Sequence, residues 1–94
     1  MTQAANSWQV YIVRCADETL YTGIARDVYK RLDEHNHSQL AARYTRARRP
    51  VVLVYTEACE SRSQALRREI AIKKLSRCDK QRLCQQTQAT RQSP

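Results

Sequence analysis

The sequence predicts an α+β fold, a three-stranded antiparallel sheet flanked by helices, and three observations carry that expectation. Two short runs rich in β-branched and aromatic residues, WQVYIVRC at 8–15 and LYTGI at 20–24, are separated only by turn-forming residues. A third run, VVLVY at 51–55, follows Pro50. The remaining stretches place apolar residues at helical rather than alternating spacing. The order strand, strand, helix, strand, helix, helix then suits helices packed against one antiparallel sheet.

Each element has its own local cause. In the first run Trp8, Val10 and Ile12 share one parity and Tyr11, Val13 and Cys15 the other, so both faces are largely apolar and the strand is an inner one. Asp17, Glu18 and Thr19 supply turn chemistry, which makes the first two strands a β-hairpin. An odd-numbered loop around Glu18 puts Tyr11 and Tyr21 on the same face, whereas an even-numbered one separates them unless a bulge intervenes. The sequence leaves that register open. Asp27 is placed to N-cap a helix running to about Asn36, with Val28 and Leu32 one turn apart. From 39 to 49 no period is convincing. Ser61 or Ser63 caps a helix through about Leu75, with Leu66 and Ile70 on one stripe and Ala65 and Ile72 on another. Residues 76–85 form a final short helix whose main apolar contact is Leu83.

Ninety-four residues suffice for one small domain, expected over 8–84. The polar segments 1–7 and 85–94 hold too little apolar surface to offset the entropy of ordering and are expected to be flexible. Seventeen Lys and Arg against nine Asp and Glu leave a net charge of +8, which makes a polyanion the first partner to consider. No apolar run approaches the ~18 residues of a membrane span, and residues 1–7 lack the pattern of an export signal. Cys15, Cys59, Cys78 and Cys84 include no CxxC pair and no histidine at zinc-finger spacing. Free thiols and a cytoplasmic location are therefore expected.

The segments VYIVRCADETLYTGIARDVYKRLDEHN (10–36), ARYTRARRPVVLVY (42–55) and SRSQALRREIAIKKL (61–75) carry a specific ordered series. It runs from Y-T-G on the second strand, through Arg and His one helical turn apart and ARYTR before a strand, to AL-x-x-E-x-x-I-K-x-L on a later helix. This series resembles the GIY-YIG nuclease superfamily, and within it the small stand-alone YhbQ-like branch. The resemblance implies hydrolysis of a phosphodiester with one divalent metal, Mg²⁺ or Mn²⁺. It puts the catalytic tyrosines on Tyr11 and Tyr21, the motif glycine on Gly23, the helix arginine on Arg31, the branch histidine on His35 and the metal-binding glutamate on Glu69. Three positions depart from the pattern: Gln9 and Ala47 stand where glycine is usual, and Ile24 where some relatives carry lysine.

The chemistry of phosphodiester hydrolysis calls for an activated water, a cation facing the developing negative charge, and stabilisation of the leaving oxygen. A tyrosine hydroxyl, ordinarily of pKa about 10, becomes a base where nearby cations favour the phenolate, and Tyr21 is the best candidate for that role. Arg31 and His35 lie on one helix face and can bind a phosphate oxygen and carry a proton, although Arg31 can also pair with Asp27. On a helical wheel Glu69 falls between Leu66 and the Ala65–Ile72 stripe, so it points toward the protein body, while Lys73 offers it an ordinary surface partner. A lone carboxylate suits Mg²⁺, which keeps several waters. Arg43, Arg46, Arg48 and Arg49, with Tyr44 as a stacking ring, form a nucleic-acid clamp containing no acid. The basic group from Lys73 to Arg82 reads as a generic charged surface, as apt to touch nucleic acid as to face solvent alone. The expected partner is DNA, single-stranded or structured, because so small a domain has little surface for reading base edges, and RNA stays open. Two other classes compete: a non-catalytic nucleic-acid-binding module with the same fold, and an adaptor for an acidic protein. Divalent-dependent cleavage separates the enzyme from both.

Overall fold

A computed structural model describes residues 7–92, with only the backbone for 86–92. Of the expected flexible ends, residues 1–6 and 93–94 lie outside the described part. The elements are β1 (Trp8–Arg14), β2 (Leu20–Ala25), α1 (Val28–His37), α2 (Arg43–Arg46), β3 (Val52–Cys59), α3 (Arg62–Lys73) and α4 (Arg77–Gln92). The three strands form an antiparallel sheet in the order β2-β1-β3, so the doubly apolar first strand is indeed the inner one. On one face Val10 and Ile12 pack with Tyr55, Ala65, Ile72 and Cys84, the last three from α3 and α4. On the other, Tyr11, Val13 and Cys15 pack with Val28 and Leu32 of α1 and with Val51. The four cysteines are free thiols, and only Cys78 is exposed. Among the described residues no helix is long and apolar enough to cross a membrane.

The β1–β2 register resolves the hairpin. Arg14 pairs with Leu20, leaving the five residues 15–19 as the loop, and Tyr11 pairs with Gly23 while Val13 pairs with Tyr21. Tyr11 and Tyr21 therefore share a face. Asp17 Oδ1 accepts from the Thr19 amide at 3.1 Å and the Thr19 hydroxyl at 2.6 Å, and Glu18 takes a left-handed φ of 72°.

Helix caps follow the sequence: Asp27 accepts from the Lys30 amide and Ser61 from the Gln64 amide. Five differences stand out, three of them with a physical cause in view. α2 was not visible as a period, because it is a single turn held by the Arg46 amide on the Ala42 carbonyl and by the burial of Thr45. Strand β3 runs on through Thr56–Cys59, where Glu57 and Ala58 are weak β-formers recruited by pairing with Val10 and Gln9. It also starts one residue late, because Val51 is held by Asn36, which accepts from its amide at 2.7 Å and donates to its carbonyl at 3.0 Å. Finally, α4 continues past the expected end near Gln85 to Gln92, and Ile70, placed on an apolar stripe, is 54% exposed.

Candidate active site

Gly23 matters through the space above it. A Cβ there would lie 2.5 Å from the Tyr11 hydroxyl oxygen and 2.7 Å from Cζ, so the Tyr11 ring lies directly across the glycine. Helix α1 then meets the hydroxyl with His35, which is completely buried. Tyr11 Oη and His35 Nε2 are 2.7 Å apart, and His35 Nδ1 is 2.7 Å from Thr45 Oγ1. The proton positions follow from the network. The Thr45 hydroxyl donates to the Ala42 carbonyl at 3.0 Å, so toward His35 it can only accept. His35 therefore carries its proton on Nδ1, and Nε2 accepts from the Tyr11 hydroxyl. Among the described residues, no buried side-chain nitrogen or oxygen is left without a partner.

Electrostatics hold this relay neutral at rest. Burial, with Arg31 and Arg49 nearby, lowers the His35 pKa to about 4 against the opposing pull of Glu34. Burial, with Tyr21 and Glu69 nearby, raises that of Tyr11 to about 12, against the pull of Arg31 in the other direction. Tyr21, Arg31 and Glu69 thus all lie near enough to act on the charge of Tyr11. Arg31 spends Nη1 on Glu34 Oε1 at 2.8 Å and on the Leu40 carbonyl at 2.9 Å, not on Asp27, which is occupied as the N-cap of α1. Glu69, its side chain 17% exposed, has Oε2 3.3 Å from Lys73 Nζ.

Tyr21 is placed differently from Tyr11. It meets His35 edge-on, ring centroids 5.5 Å apart, and stacks on Tyr44 at 5.9 Å. Arg48 covers the Tyr44 ring at 3.9 Å and pairs with Asp17 at 3.0 Å. Tyr44 and Arg48, expected in the nucleic-acid clamp, are thus engaged in an internal stack that ties the segment before β3 to the hairpin loop. Arg49 turns inward as well: its guanidinium donates to the carbonyls of Glu34, His35 and Ser38 at the end of α1. Arg43 and Arg46 remain exposed, with Arg46 reaching only the Gln39 carbonyl at 3.2 Å.

Residues 7–82 match the GIY-YIG catalytic domain. The chain belongs to the GIY-YIG family. It is 61% identical over 70 residues to a UPF0213 protein of Desulfotalea psychrophila, an alignment covering 74% of this chain and 64% of that one, so the chain spans less than two thirds of that relative's length. It is 51% identical over 77 residues to a UPF0213 protein of Syntrophus aciditrophicus, covering 82% of this chain and 88% of the other. A solution NMR structure of a UPF0213 protein from Bacillus halodurans is 43% identical, with a TM-score of 0.52 over 82% of this chain and 81% of that one. A second, of a protein from E. faecalis, is 35% identical with a TM-score of 0.57, over 87% and 88%. GIY-YIG membership places the chain in a nuclease superfamily with the expected α+β fold.

Two residues that hold this cluster in place carry no signal in the sequence. Thr45 fixes the His35 tautomer and Asn36 locks α1 to the start of β3. The ARYTR segment contains the threonine, but nothing in a single sequence says that its hydroxyl faces a histidine ten positions earlier.

As for a divalent ion, no group of three or more His, Cys, Asp or Glu gathers among the described residues. A hard, well-hydrated cation needs no such group: one partly exposed carboxylate, with water and substrate oxygens completing its shell, fits Mg²⁺ or Mn²⁺. Glu69, 17% exposed and paired with Lys73, has the chemistry such an ion takes.

Proposed function

We propose that this chain is a metal-dependent endonuclease hydrolysing phosphodiester bonds in single-stranded or structured DNA. The observation carrying this reading is the buried Tyr11–His35–Thr45 relay beside Arg31 and Glu69. Tyr11, rather than Tyr21, is the tyrosine hydrogen-bonded to a proton acceptor, and it is the group we assign to water activation. As water attacks phosphorus, it gives a proton to Tyr11 Oη while the Tyr11 proton passes to His35 Nε2. The other ring proton stays on His35 Nδ1, donated to Thr45 Oγ1, so the charge formed is an imidazolium. With pKa values near 12 and 4, completing the Tyr11-to-His35 transfer before attack would cost on the order of 10 kcal/mol. The two proton movements therefore accompany attack rather than precede it. Arg31 faces the developing charge on a phosphoryl oxygen. A Mg²⁺ or Mn²⁺ held by Glu69 would polarise the phosphate and stabilise the leaving oxygen. Tyr21 packs against His35 and keeps the relay dry and in place.

The test is single-turnover cleavage of labelled single-stranded, duplex and branched oligonucleotides, with and without Mg²⁺ or Mn²⁺. Tyr11→Phe should lower the rate on the order of 10²-fold or more, and Tyr21→Phe by less. Glu69→Gln should lose divalent-ion affinity and cleavage together while metal-free DNA binding persists. If the wild-type protein cuts none of these substrates, the reading falls to a non-catalytic DNA-binding module.

A further inference from the structure

Three element ends meet at Trp8. The Gln9–Ala25 pair sets the start of β1 against the end of β2, which Arg26 directly follows, and Arg62 opens α3 after the Ser61 cap. The Arg26 guanidinium carbon lies 5.4 Å from the Trp8 ring centroid and that of Arg62 5.7 Å. Both arginines are exposed. Asp27 and Glu60, their nearest acids in sequence, pair with neither, and among the described residues neither arginine has a carboxylate within ion-pair distance. Two like charges gathered on one ring repel each other unless an anion lies between them. Cation–π attraction to the indole holds them there.

Two rulers relate this cluster to the catalytic residues. Along β2, at about 3.3 Å per residue, Arg26 is roughly 10 Å beyond Gly23, and Tyr21 lies on the opposite side of Gly23. Along α3, Arg62 and Glu69 are two helical turns apart on one face, again roughly 10 Å. The cluster thus shares the Glu69 side of α3, within the reach of a few nucleotides.

Resting on the nuclease reading for its substrate, we infer that Trp8, Arg26 and Arg62 form a second DNA contact, which takes backbone phosphate a few nucleotides from the cleaved bond. Tyr21 and Trp8 belong to opposite faces of the sheet, so the strand follows the outer edge of β2, from the Tyr21–Tyr44 stack on one face to the Trp8 cluster on the other. Trp8 is the positioning residue and the two guanidinium forks are the ligands.

Trp8 is the only tryptophan in the chain, so its fluorescence reports the cluster without labelling. Wild-type protein in EDTA is titrated with labelled dT16, reading Trp8 emission and DNA anisotropy together over a series of salt concentrations. Trp8 emission should change saturably with the Kd given by anisotropy. Arg26→Gln and Arg62→Gln should each weaken binding about three- to tenfold and reduce the log–log salt slope by about 0.7. Arg82→Gln, which removes the same charge from α4, should do neither. Melting temperatures confirm that each variant is folded. Unmoved Trp8 emission, or Arg26 and Arg62 variants that bind like Arg82→Gln, overturns the inference. Because binding is read without metal and cleavage in a separate Mg²⁺ reaction, a protein that binds through Trp8 yet never cuts defeats the nuclease reading alone, and one that cuts without this contact defeats the inference alone.

Discussion

The Tyr11 ring occupies the space a side chain at position 23 would need, so the two residues act as one unit. Gly23→Ala puts a methyl 2.5 Å from the Tyr11 hydroxyl oxygen, and the ring must swing away from His35. The expected cost is about 1–3 kcal/mol of stability, together with a loss of cleavage approaching that of Tyr11→Phe; a normal Tm with normal activity would contradict this packing. His35 makes a second prediction. Its folded pKa near 4 is below the ordinary 6.5, so the unfolded chain binds the proton first as pH falls. Stability from the neutral histidine is complete above about pH 6.5 and declines toward pH 4, at up to about 1.4 kcal/mol per pH unit. Thermal melts over that window should show a steeper decline for wild type than for His35→Gln. Parallel curves would mean that His35 titrates normally.

At the scale of elements, the Tyr11–His35 face depends on how α1 is anchored. Asn36 supplies Val51 with the two hydrogen bonds a neighbouring strand would have made, and Arg49 closes the last carbonyls of the same helix. Both ties join α1 to the segment leading into β3, and His35 is held between them. Arg49→Met keeps much of the side-chain volume but leaves those carbonyls without their charged donor. It should lower stability by about 1–3 kcal/mol and leave the salt dependence of DNA binding unchanged. A reduced salt slope at unchanged Tm would return Arg49 to the DNA surface. α2 is equally dependent on context: one turn has no stability of its own and persists because Thr45 is buried against His35.

For the whole molecule, a net charge of +8 on 94 residues sets the long-range attraction to a nucleic acid, but only exposed, unspent charges report it as released counterions. Arg48 and Arg49 are committed to internal partners, whereas Arg43 and Arg46 are exposed. Arg43→Gln and Arg46→Gln should therefore each flatten the log–log salt dependence of single-stranded DNA binding by about 0.7 with little change in melting temperature. Slopes equal to wild type would remove this segment from the DNA contact.

By itself the sequence determined the fold class, the inner position of β1, the cap at Asp27, a serine cap at 61 or 63, and the set of residues from which a nuclease site could be built. Each is decided within a few neighbours, by side-chain parity, by a capping oxygen near an orphan amide, or by a motif in order along the chain. Only the tertiary structure decided the hairpin register that brings Tyr11 and Tyr21 to one face, the choice of Tyr11 as the partner of His35, and the tautomer set by Thr45. It also separated arginines that look alike in sequence into helix cap, ring cover and exposed cation. Those outcomes depend on which groups meet across long sequence separations and on how much water the meeting excludes. Neither quantity can be read from the order of residues.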